Sequence, residues 1–141
     1  MPVIIGSIED LGLNYLIFTG SVSRDDLQQF PERLTRSGYM SGVDWVVYFD
    51  PNADLFDVDA ACLFDLKKEL AIVISAFHDA GDLNVLLLLN SNDDVVDPDY
   101  PTNPLLAKDF SAAAYMFGLT EAQCQIAKRR IEDVIAGEVS P

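Results

Sequence analysis

The sequence predicts an α/β domain built on a single mixed sheet that begins with an antiparallel hairpin and continues through alternating helices and strands. Three observations carry this expectation. Two β-rich runs open the chain with too few residues between them for a crossover helix. Two later runs, VDWVVYF and NVLLLL, are apolar over most of their length, and amphipathic helical patterns lie between and after them. Such an alternation is the pattern of a sheet covered by helices.

The opening runs cover residues 2–8 and 13–18, separated by Glu9, Asp10, Leu11 and Gly12. So short a link returns the chain alongside itself, which makes the pair antiparallel. Ser23 followed by Asp26 forms a capping-box variant, and Leu27, Phe30 and Leu34 recur at helical spacing up to Gly38. Pro31 lacks the amide its turn would use, so a kink or restart is expected there. Residues 43–49 are rich in β-branched and aromatic side chains and read as a central strand, ended by Asp50, Pro51 and Asn52.

Asp57 or Asp59 then caps a long helix whose stripe is Leu63, Leu66, Leu70, Val73, Ile74 and Phe77, closing near Gly81. Residues 84–89 read as a strand covered on both faces. A loop of about twelve residues follows, carrying Asp93, Asp94, Asp97 and Asp99 with Pro98, Pro101 and Pro104. Residues 105–117 read as a third helix ending at Gly118. Residues 119–136 read in two ways. Helix propensity favours one helix capped by Thr120 that buries Ala122, Ile126, Ile131, Val134 and Ile135. Strand count favours an edge strand over 124–127 followed by a short helix over 131–136.

At 141 residues, half of them hydrophobic, the chain is expected to fold as one domain with its own core rather than remain disordered. Its 23 acidic and 9 basic residues give a formal charge of −14. That balance repels phosphate backbones and anionic lipid, so neither nucleic acid nor a membrane surface is expected as a partner. A basic protein surface or a divalent cation is electrostatically easier. Apolar runs such as 70–74 and 85–89 are too short to span a bilayer, and the opening residues carry no basic stretch, so a cytoplasmic protein is expected. Cys62 and Cys124 have no CxxC partner and read as small buried hydrophobes.

If the central strands run parallel, the loops after Phe49 and Leu89 emerge at one end of the sheet, where open α/β sheets place ligands. Asp50, Asp54, Asp57 and Asp59 then gather near Asp93 and Asp94. Asp50, Asp54, Asp57 and Asp93 are the candidate ligands for a divalent cation. Asp50, Asn52 and Asp54 imitate the start of an EF-hand loop, but Leu55 stands at the turn glycine and Ala61 at the bidentate glutamate, so no EF-hand is expected. Asp50 could also serve as a phosphoryl acceptor, with Glu9, Asp10 and Lys128 in supporting roles. The opening hairpin and Asn52 argue against that chemistry. His78, the single histidine, falls in the last turn of the long helix, where its cation suits the carbonyl ends. Ser21, Ser23, Ser91 and Ser111 have no nucleophile-elbow context, and no cofactor fingerprint is present. Tyr100, Phe110, Tyr115 and Phe117 read as core.

The order of elements resembles the STAS-like fold of proteins related to the anti-sigma factor antagonist SpoIIAA. The resemblance runs from about residue 13 to 137, over LNYLIFTGSVSRDDL, VDWVVYFDPNADLF, LFDLKKELAIVISAFHDAGDLNVLLLLN and RRIEDVIAG. It rests on hydrophobic and turn patterns rather than signature residues. It implies a small bacterial regulatory or protein-interaction module or, more distantly, a carrier of an apolar ligand; apart from the resemblance, an exposed sheet edge or helix is one route to a homodimer. The antagonists carry a phosphorylatable serine in an Asp-Ser-Ser-Gly stretch at the start of the helix after the central strand. Here that stretch reads Asp57, Val58, Asp59, Ala60, Ala61, Cys62, with no hydroxyl. A module that is not phosphorylation-switched is therefore expected.

Overall fold

The structure, a computed structural model, describes residues 3–37, 44–55, 59, 61–62, 65–69, 72, 85–88, 105–107 and 109–140. Strands β1 (Val3–Ile8) and β2 (Leu13–Phe18) form the expected antiparallel hairpin, in register from Val3 opposite Phe18 to Ile8 opposite Leu13. A 3-10 turn over Glu9–Leu11 joins them, and Gly12 closes it at φ 60°, a left-handed conformation that glycine adopts without a Cβ penalty.

After β3 (Ser21–Val22), helix α1 (Arg24–Ser37) begins at the reciprocal Ser23–Asp26 cap. The Ser23 amide donates to Asp26 Oδ2 at 2.8 Å, and the Asp26 amide donates to Ser23 Oγ at 3.2 Å. The helix passes through Pro31 without a restart. One lost backbone bond is outweighed by Leu27 and Phe30, both buried in the turns before it. The side chain of Leu34 lies outside those described.

The chain continues as β4 (Asp44–Phe49), β5 (Asp54–Leu55), a helical segment (helical at 61–62, 65–69 and 72), β6 (Val85–Leu88) and β7 (Leu105–Ala107). Five strands among the described residues make one mixed sheet in the order β1-β2-β4-β6-β7, and every pair after the hairpin is parallel. A second, two-stranded parallel ladder joins β3 to β5, so the expectation of a single sheet is incomplete. Two residues per strand are too few to leave a periodic signal.

Two expectations about the second half are corrected. Residues 105–107 are a strand rather than the start of a helix. Their Leu-Leu-Ala composition suits a helix locally, but the open edge of β6 supplies hydrogen-bond partners that an isolated segment lacks. Helix α2 (Ser111–Phe117) therefore starts later, where the Ser111 amide donates to Asp109 Oδ1 at 2.9 Å. With β7 completing the sheet, residues 119–136 form no strand. They carry one helix, α3 (Glu121–Ile135), joined to α2 through Gly118 at φ 66°.

Its capping box is complete: the Gln123 amide donates to Thr120 Oγ1 at 3.2 Å, and the Thr120 amide donates to Gln123 Oε1 at 2.9 Å. Thr120→Ala is expected to cost about 1 kcal/mol. Urea unfolding followed by the fluorescence of Trp45 checks this, and an unchanged midpoint would mean that packing alone holds the start of α3.

Side chains alternate along the strands, so β2 and β4 feed two cores. On one face Leu13, Tyr15, Ile17, Val46 and Tyr48 cluster with Ala113 of α2 and Cys124, Ala127, Ile131 and Val134 of α3. Ile131 and Val134 are buried and Ile135 half-buried, as expected, but the first half of the buried face differs, since Ala122 is exposed and Ile126 is 55 % exposed. Small residues at 124 and 127 let the helix lie close to the sheet, whereas a long Ile at those positions would hold it off. On the other face Leu16, Phe18, Trp45, Val47 and Phe49 are buried. There Phe18 stacks on Phe49 at 5.0 Å and meets Phe30 of α1 edge-on at 5.8 Å. Strands that follow chain order across a sheet put right-handed crossovers on one face, and α1 and the helical segment indeed line a common cleft.

Candidate functional site

In parallel β-α-β units each helix begins where the preceding strand ends. The C-terminal end of β2 and β4 therefore collects the starts of both α1 and the helical segment. The Asp50 amide donates to the Phe18 carbonyl at 2.9 Å, tying the two strand ends together. Asp50 then folds the chain back: its Oδ1 accepts from the Asn52 amide at 3.0 Å and its carbonyl from the Ala53 amide at 2.9 Å. The Asp54 amide returns to the Gly20 carbonyl at 2.7 Å, which starts the β3–β5 ladder beside the first turn of α1.

Asp59 is the cap of the helical segment, accepting at Oδ1 from the Cys62 amide at 2.9 Å. This resolves the choice between Asp57 and Asp59 as far as the described residues reach; Asp57 lies outside them. Arg24, at the start of α1, faces Asp59 at 3.8 Å and bridges the two helix starts. Between the helices lies a cleft of about 360 Å³, walled by Gln28, Cys62, Asp65, Lys68 and Glu69 over Leu27 and Leu66.

Both helix starts attract anions through their unpaired amides and dipoles. In each case a carboxylate of the chain meets them, Asp26 in α1 and Asp59 in the helical segment. What faces solvent is mainly anionic: Asp25, Asp54, Asp59, Asp65 and Glu69 are exposed against Arg24 and Lys68, and Asp26 and Asp50 are half-buried.

Hydrogen bonds from the Cys62 amide and side chain, followed by the charge of Arg24, hold the Asp59 carboxyl below its ordinary value. A carboxyl lowered on folding contributes stability above its unfolded pKa and loses it as pH falls through the folded value, here below about pH 4. Asp59→Asn keeps a competent cap without the charge. Its deficit in urea midpoint at pH 7 is expected to shrink at pH 3, and a deficit independent of pH would contradict this role.

Of the four candidate cation ligands, Asp50 and Asp54 stand at this end, whereas Asp57 and Asp93 lie outside the described residues. Asp50 spends one oxygen on its own turn. Among the described residues no group of three or more His, Cys, Asp or Glu side chains is placed to hold a metal. The phosphoryl constellation is not assembled. Glu9 and Asp10 sit in the hairpin turn at the N-terminal end of β2, a strand length of about 20 Å from Asp50. Lys128 belongs to α3, which packs on the opposite face of the sheet from α1.

Cys124 is buried, and burial pushes its thiol pKa up; Cys62, expected to be buried, is partly exposed in the cleft wall. Tyr115 is 72 % exposed rather than core, while Phe110 is buried against Tyr48 at 6.0 Å. His78, Asp94, Asp97, Asp99 and Tyr100 lie outside the described residues, as do Leu63, Leu70, Val73, Ile74, Phe77 and Gly81. Sequence reasoning passed over Arg24, Asp25 and Asp65. The Ser23–Asp26 cap was the available signal, because it marks a helix start that the topology must bring to the strand ends.

The fold and this end of it define an α/β domain with an anionic strand-end surface. Among the described residues no helix is long and apolar enough to cross a membrane. Comparison with protein families, with curated proteins and with solved structures finds no match to the chain.

Proposed function

We propose that this chain is a small cytoplasmic regulatory or protein-interaction module of the STAS-like, SpoIIAA-like kind, which receives a basic partner surface at the C-terminal end of its parallel strands. The observation that carries this reading is the meeting of two carboxylate-capped helix starts there, with exposed Asp25, Asp54 and Asp65 around them. Asp59, a permanent carboxylate, occupies the helix start where the antagonists present a serine, which supports a module not switched by phosphorylation. Charge of this kind speeds encounter and rejects acidic competitors more than it adds affinity.

Tagged purification from the producing cells, with mass spectrometry of the proteins and small molecules retained, tests the reading. A basic protein held by the wild type and lost by Asp25→Asn/Asp54→Asn/Asp65→Asn is the expected outcome. Retention of a metal or small molecule in place of a protein would replace this reading with that of a ligand-binding protein.

A further inference from the structure

The cleft of about 360 Å³ between α1 and the helical segment has the size of a small-molecule pocket. Its floor is apolar, formed by Leu27 of α1 and Leu66 of the helical segment, which are 2 % and 3 % exposed. Its walls carry both signs of charge. Arg24 stands on α1, and Asp65, Lys68 and Glu69 recur at spacings of three and four along one face of the helical segment. Arg24 reaches Asp59 at the helix start, whereas Asp65, Lys68 and Glu69 make no ion pair among the described residues. A purely basic occupant would meet Arg24 and Lys68 here, and a purely acidic one Asp65 and Glu69. Only a molecule that bears both charges close together, on an apolar body, matches the walls and the floor at once.

We propose that this cleft binds a small zwitterion, an α-amino acid with an apolar side chain. Its carboxylate lies toward Arg24 and Lys68, its ammonium toward Asp65 and Glu69, and its side chain over Leu27 and Leu66. A carboxylate suits the guanidinium fork of Arg24, and an ammonium has three donors for the two facing carboxylates. The side chain leaves water for the leucine floor. Because the charged walls are exposed, each ion pair is screened and the affinity is modest, about 1 mM. Selectivity comes from the need for both charges, since a ligand lacking one leaves two like-charged wall groups unanswered. Asp25 and Asp54, which carry the reading of a basic partner, do not line the cleft. The inference therefore stands apart from that reading.

Isothermal titration with three probes of similar shape tests it: L-leucine, leucinamide, which lacks the carboxylate, and 4-methylpentanoate, which lacks the ammonium. The expected result is saturable binding of L-leucine at about 1 mM, with each of the other two weaker by about tenfold or more. Asp65→Asn/Glu69→Gln weakens L-leucine to the level of 4-methylpentanoate, while Glu132→Gln, exposed on α3 across the sheet, leaves it unchanged. The comparison of probes uses the wild type alone and stands whatever the variants do to folding. Absence of saturable binding of L-leucine up to about 20 mM overturns the proposal. So does equal binding of the three probes, or L-leucine binding that persists undiminished in Asp65→Asn/Glu69→Gln.

Discussion

Phe18→Ala is expected to remove about 3–5 kcal/mol of folding stability. Phe18 is fully buried and ends β2, with Phe49 stacked on it from β4 and Phe30 edge-on from α1. Truncation removes apolar burial and two aromatic contacts at once. It also leaves a cavity that strand-borne neighbours cannot collapse to fill. A domain of this size has about 5–15 kcal/mol in total, so the variant should sit near the edge of folding at room temperature. Urea unfolding read by Trp45, which is itself fully buried in β4, should show a lower midpoint at unchanged slope. A loss below about 1 kcal/mol would mean that α1 is not anchored to the sheet through this cluster.

Gly6→Ala changes sign with its neighbour. Gly6 lies directly opposite Tyr15 in the hairpin, and the Tyr15 ring crosses the space a Cβ would occupy, with Cε2 2.9 Å from it and the hydroxyl and Cζ nearer still. Tyr15 is fully buried and cannot swing clear. The substitution should therefore cost about 1–3 kcal/mol through overpacking. In a Tyr15→Ala background the obstruction is gone, and the lower backbone entropy of Ala over Gly in a strand should make the same change stabilising by about 0.5–1 kcal/mol. A double-mutant cycle gives the coupling directly. Equal effects of Gly6→Ala in both backgrounds would show that the ring does not determine the glycine.

The same physics separates what could be read in the chain from what could not. The hairpin was legible because β1 and β2 are joined by a link too short for anything but a return, and β4 because six consecutive residues suit a strand buried on both faces. The start of α1 was legible from Ser23 with Asp26, and Thr120 marked the start of α3 in one of the two readings of residues 119–136. Residues 105–107 were not, because a three-residue strand carries no period and its partners on β6 lie far away in sequence. The buried stripe of α3 was right at Ile131 and Val134 but misplaced in its first half, because Ile126 outweighs Cys124 and Ala127 in apolarity, while close packing against the sheet favours the smaller residues. At the site, the acidic loops drew notice through composition. The starts of the helices, where Arg24, Asp25 and Asp65 join the already noticed Asp59, become neighbours only through the crossover topology.

Zero-length carbodiimide coupling in extract of the producing cells, with the coupled carboxylates mapped by peptide mass spectrometry, tests the central claim most directly. The reagent joins a carboxylate only to an amine already in contact with it. The predicted result is coupling of Asp25, Asp54 or Asp65 to lysines of a partner protein. Coupling confined to Glu121, Glu132 or Glu138, with the strand-end aspartates unreacted, would contradict it.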